Sequence, residues 1–145
     1  MGEGLLRNSL SEKARKATIV SSAGTGAIAG LPASENSIVA CAEAGIDIAS
    51  HRSRPLSRRL IEESDLILTM EDHHAAAARS LAPELADRIH LLARYGAEKE
   101  NVAGVGDPIG GSLEEYRASF KEIQRQVLGA RAKLEREILA GVVES

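Results

Sequence analysis

Asp65-Leu66-Ile67-Leu68-Thr69-Met70 is a nearly continuous apolar run. A strand with one solvated face alternates apolar and polar side chains, whereas a strand of a parallel sheet covered on both faces reads as an unbroken apolar run. This segment is of the second kind, and it is the clearest strand in the chain. Downstream of it the composition predicts an alanine-rich helix over roughly 72 to 81 and a second short apolar stretch from Ile89 to Leu92. A glycine-containing loop follows from Gly96 to Gly111. Ser112-Leu113-Glu114-Glu115 then has the form of a capping box. It opens a helix on which Leu113, Tyr116, Phe120, Ile123, Val127, Leu134 and Ile138 hold a helical period, so one face of it packs against a sheet.

Upstream of the strand, Ser57 caps a short helix reaching about Glu63, and His51-Arg52-Ser53-Arg54-Pro55 is polar, basic and irregular. Ile46-Asp47-Ile48 suits a short extended segment. Before it, a helix is expected from about 34 to 44, capped by Ser34 and ended by a left-handed Gly45, with Ile38, Cys41 and Ala42 on one face. Thr18-Ile19-Val20-Ser21-Ser22 is β-branched and runs into Ala23-Gly24-Thr25-Gly26, which predicts a strand followed by a loop extending through Pro32. Residues 3 to 15 suit a helix that is already under way when the sequence begins. Strands alternate with helices throughout, the pattern of an α/β domain with a small parallel sheet covered on both faces. The 145 residues make one domain.

The formal charge of −3 gives no basic excess that would attract nucleic acid or an anionic membrane. No apolar run approaches the roughly 18 residues of a membrane span, and Met1-Gly2-Glu3-Gly4 lacks the regions of a signal peptide, so the expected compartment is the cytoplasm. The single cysteine, Cys41, leaves no internal disulfide and no thiolate zinc site. It lies on the apolar side of its helix, so it reads as a core residue. His73 and His74 are neighbours that a helix would point apart, which argues against a shared metal, and no cofactor is expected. Arg52, Arg54, Arg58 and Arg59 could steer a phosphate dianion, although a charge run of this kind is more often a solvated face.

The ordered succession Ser21-Ser22-Ala23-Gly24-Thr25, Gly45-Ile46-Asp47, His51-Arg52-Ser53-Arg54, Asp65 to Met70 and Asp107-Pro108-Ile109-Gly110-Gly111 resembles the low-molecular-weight protein-tyrosine-phosphatase family. The resemblance spans nearly the whole chain. It implies a doubly wound parallel sheet in the order 2-1-3-4, flanked by helices, with ligands bound at the carboxyl ends of the strands. Family members carry a loop of Cys, five residues, Arg and Ser or Thr between the first strand and first helix. Met1-Gly2-Glu3-Gly4-Leu5-Leu6 matches the stretch just after that loop, so the central first strand and the nucleophile are expected to be missing from this incomplete domain.

The resemblance further implies hydrolysis of a phosphorylated protein or small aryl phosphate through a phosphocysteine, with Asp107 as general acid. Pro108 would fix the backbone that aims Asp107. Read without the family, the Asp-Pro pair is simply a turn initiator. Ser22 matches a serine that braces the phosphate loop, or else is a strand-end hydroxyl. His51 matches a supporting position in the same region, or is a solvated turn residue. Ile109 replaces the usual aromatic cleft wall, and Ile28 is the nearest large side chain opposite. The loop around Asp107 is similar to that of a bacterial subgroup that dephosphorylates arginine, so phosphotyrosine and phosphoarginine both stay open. Arsenate reductases share the fold but need further cysteines, which this chain lacks. Without the nucleophile the 145 residues are expected to be inactive; the alternative is a non-catalytic pseudophosphatase that binds its partner.

Overall fold

A computed structural model of the chain describes residues 1–95, 108 and 110–144. Its helices are α1 (Gly2–Ser9), α2 (Glu12–Lys16), α3 (Glu35–Ala42), α4 (Arg58–Glu63), α5 (Asp72–Leu81) and α6 (Leu113–Glu144). Two strands, β1 (Ile67–Thr69) and β2 (Ile89–Leu91), pair in parallel with Ile67 opposite Ile89 and Thr69 opposite Leu91. A 3-10 segment, Pro83–Arg88, joins α5 to β2.

The local signals act as the sequence predicts. The hydroxyls of Ser34, Ser57 and Ser112 accept from the backbone N–H groups of Ser37, Leu60 and Glu115, each three residues on, and so open α3, α4 and α6. Gly45 takes a φ of 77°, the left-handed conformation that ends α3. Residues 72–81 form α5 as expected.

The apolar run around β1 is sandwiched, which is why it does not alternate. Leu66, Leu68 and Met70 pack against one cluster, formed by Leu5, Ala40, Cys41, Tyr116, Phe120, Val127 and their neighbours from α1, α3 and α6. Ile67 points the other way, into a smaller cluster of Ile61, Ala75, Ala78, Ala82 and Ile89. Small alanines on α5 let that helix lie close to the sheet. The fold is therefore α/β, with a small parallel sheet between helices. No helix among the described residues is long and apolar enough to cross a membrane.

Two expectations are corrected. Residues 3 to 15 do not form one helix: Leu10 turns extended (φ −70°, ψ 146°) to bury its side chain, and Ser11 caps a new helix by accepting from Ala14 N–H. The N–H of Ser11 in turn donates to Glu135 of α6, at 2.6 Å, which fixes the break against the long helix. Thr18 to Ser22 forms no strand, and the sheet within the described residues has two strands, where the family order less its first strand implies three. Strand propensity is satisfied only by a neighbouring ladder. Here arginine side chains take the place of a ladder: Arg7 donates to the Val20 carbonyl at 2.6 Å and Arg54 to that of Ser22 at 2.9 Å. Ile19 is left 94% exposed.

Candidate active site

The start of α1 lies against the carboxyl end of β1. A Cβ on Gly2 would come within 2.5 Å of the Met70 methyl, and one on Gly4 within 2.9 Å of the Ile48 side chain. These glycines let the first turn of α1 sit directly on Met70 and on the Ile46–Ile48 segment. Two open loops are laced together beside this point. Gly24 N–H donates to the Arg54 carbonyl and Leu56 N–H to that of Gly24, while Ser53 N–H donates to Leu31 and Gly30 N–H to Ser53.

Glu3 is the side chain on which these pieces converge. Its carboxylate accepts from the Ser22 hydroxyl at 3.0 Å, lies 3.5 Å from Nδ1 of His51 and pairs with Arg7 at 3.3 Å. The Glu3 side chain is only 18% exposed, so its charge is held by partners more than by water. Ser22 and His51, singled out separately in the sequence, are thus brought to one carboxylate. Glu3 itself was not among the predicted site residues. The available signal was an acid in the first turn of α1, where the positive end of the helix dipole favours it.

Pro108 is described, and its carbonyl accepts from Gly111 N–H at 2.7 Å in a tight turn around Gly110, whose φ is 74°. Gly111 is required there, because a Cβ would meet the Glu115 carboxylate and would lie 2.7 Å from the Pro108 carbonyl. Its own carbonyl accepts from Asn36 at the start of α3. Asp107 and Ile109 lie outside the described residues, as does most of the predicted loop from Gly96 to Gly111.

Of the remaining candidates, Cys41 is fully buried among the core side chains, and burial pushes its thiol up from the ordinary value. A raised, buried thiol is a poor nucleophile. Arg58 pairs with Glu62 and Glu84, Arg59 pairs with Glu63, and Arg52 donates to the carbonyls of Ala49 and His51. These arginines are engaged in structural contacts. His73 and His74 do not point apart: in the first turn of α5 their rings lie 4.0 Å centre to centre, and with Glu71 they offer ligand atoms within 4.8 Å of one another. The positive end of the α5 dipole opposes a cation at that spot.

The arrangement is that of an α/β protein in which the first turn of a helix is set at a strand's carboxyl end, the place where such sheets bind ligands. The family model for low molecular weight phosphotyrosine protein phosphatase matches residues 1–140, and the chain belongs to that family. The low molecular weight protein-tyrosine-phosphatase Wzb of Escherichia coli (strain K12) is 35% identical over 106 residues, 73% of this chain and 69% of that protein. Among solved structures, the YwlE arginine phosphatase from Geobacillus stearothermophilus matches with a TM-score of 0.83 at 29% identity, over 96% of this chain and 86% of that one. Vibrio vulnificus Wzb in complex with benzylphosphonate matches with a TM-score of 0.77 at 28% identity, over 91% of this chain and 87% of that one.

Proposed function

We propose that the intact protein is a cytoplasmic protein phosphatase that hydrolyses phosphotyrosine or phosphoarginine through a phosphocysteine. The reading is carried by the family match over residues 1–140 together with the convergence of Ser22, His51 and Arg7 on Glu3 at the start of α1. In this reading the helix start helps hold a phosphoryl group and stabilise a thiolate, since its free N–H groups and dipole favour negative charge. A nucleophilic thiolate would attack phosphorus, and the leaving oxygen would depart with a proton from Asp107. Asp107 would then take a proton from the water that hydrolyses the phosphocysteine. Glu3, Ser22 and His51 touch no reacting atom in this scheme; they position the first turn of α1 and the loops beside it.

The 145 residues contain no Cys followed after five residues by Arg: the one cysteine is Cys41, and Asp47 stands six positions on. In this reading the nucleophile is not among these residues, and the 145-residue chain by itself is expected to turn nothing over. The same observation favours a second reading, a pseudophosphatase that binds a phosphorylated partner without hydrolysis.

In a form that carries the nucleophile, Asp107→Asn is expected to lower kcat for a phosphorylated substrate about 10²–10⁴-fold. The loss should be smaller for an aryl phosphate whose leaving group needs little protonation. Equal kcat in Asp107→Asn and the parent on a poor leaving group would remove Asp107 from the acid role.

A further inference from the structure

Away from the start of α1, the edge of β2 borders a second concave site. A cavity of about 190 Å³ is lined by Asp72, Arg79, His90, Arg94, Tyr95 and Lys133, together with Ala75 and Leu91. Its residues come from α5, from β2 and the turn after it, and from α6. Among the described lining residues three permanent cations face one carboxylate, in a protein whose formal charge is −3. Positive charge is therefore concentrated here against the sign of the whole chain.

The cations are held in place. Arg79 donates to the Ile89 carbonyl at 3.1 Å, which fixes one side of its guanidinium and leaves other N–H groups of the fork available. Lys133 Nζ stands 4.3 Å over the centre of the Tyr95 ring. The Tyr95 hydroxyl donates to Glu137, and burial with that carboxylate pushes the phenol up, so it stays neutral. Arg94 is 3.6 Å from Asp72, a loose pair in which Asp72 is 74% exposed. An exposed pair of that kind contributes little, so an incoming anion can displace it. Of the described carboxylates here, Asp72 is exposed and Glu137 is engaged by the Tyr95 hydroxyl.

Guanidinium forks and an ammonium around a small cavity are the chemistry of oxyanion recognition, and a phosphoryl group suits them best because it offers several acceptor oxygens to more than one donor. We propose that the cavity bounded by Arg79, Arg94 and Lys133 binds a phosphoryl group on a protein, as a recognition point separate from the Glu3 region. The choice of a protein as the source of that group rests on the phosphatase reading; the capacity to bind an oxyanion does not. A substrate with two phosphorylated side chains would then be held at this cavity by one and presented for hydrolysis by the other.

The test is a titration of the 145-residue chain, followed by amide NMR shifts of residues 89–95, with inorganic phosphate and separately with a peptide bearing one phosphotyrosine. The expected result is saturable shifts in that segment with both probes. Binding of each is expected to fall about tenfold in Arg94→Gln and again in Lys133→Gln, the scale of one lost charge-assisted contact. Arg94 is half exposed and Lys133 is not fully buried, and Arg79 is left intact so that its bond to Ile89 is kept. Saturation by inorganic phosphate alone would overturn the assignment to a protein ligand. Absence of saturation at millimolar phosphate, or binding unchanged in both variants, would overturn the site. Because no turnover is measured, failure here leaves the phosphatase reading standing, and an inactive enzyme would not mimic it.

Discussion

Glu3, Ser22 and His51 come from three separate segments of the chain, and what joins them is one carboxylate with 18% of its side chain exposed. Glu3→Gln keeps the shape but removes the charge that Arg7 and His51 face. The expected loss is about 1–2 kcal/mol, the scale of a charge-assisted hydrogen bond, read as a lower denaturant midpoint at unchanged slope. Ser22 and His51 could be picked from the sequence because each matches a family motif. Their meeting point could not, because Glu3 is 19 residues from Ser22 and sequence spacing says nothing of contacts across such a separation. Cys41 is the opposite case. Its place on the apolar face of α3 already marked it as core, and it is fully buried with a raised thiol. It is expected to resist a thiol reagent in the native chain and to react only at the rate of unfolding; prompt labelling would contradict the placement.

Elements were readable where a local signal sufficed. Three serines cap α3, α4 and α6, Gly45 closes α3, and the unbroken run around Ile67 marks a strand covered on both faces. Misreadings came where a distant partner decides. Thr18 to Ser22 has strand residues but no ladder, and Arg7 and Arg54 take its carbonyls instead. The helical pattern from 3 to 15 is broken at Ser11 because Glu135, far along the chain, accepts its N–H. That bond pulls the Glu135 carboxyl below its ordinary value of 4.5, with Arg131 adding to the effect. A carboxyl lowered in the folded state stabilises the fold above its unfolded value and loses that contribution as pH falls through the folded value. Stability measured against pH should therefore fall off below about pH 4.5 less steeply in Glu135→Gln than in the parent. An identical acid limb in both would mean that the Ser11 contact does not couple α6 to the break between α1 and α2.

At the scale of the molecule, the helices and the two-stranded sheet build a scaffold that places the first turn of α1 at the carboxyl end of β1, and the chain matches phosphatases of the family along nearly all of its length. Motif order alone sufficed to suggest this, since the family's pieces occur in sequence across the chain. Asp107 was named the same way, from its Asp-Pro pair, and lies outside the described residues. What the sequence shows most sharply is chemical: its one cysteine, Cys41, is not followed after five residues by Arg. The central claim is that the 145 residues do not themselves hold the thiolate that hydrolysis needs. The direct measurement is hydrolysis of an aryl phosphate by the 145-residue chain, with any phosphate trapped on the protein located by mass spectrometry. The predicted result is no turnover and no phosphate on Cys41. Turnover by the 145-residue chain, or phosphate trapped on Cys41, would contradict it.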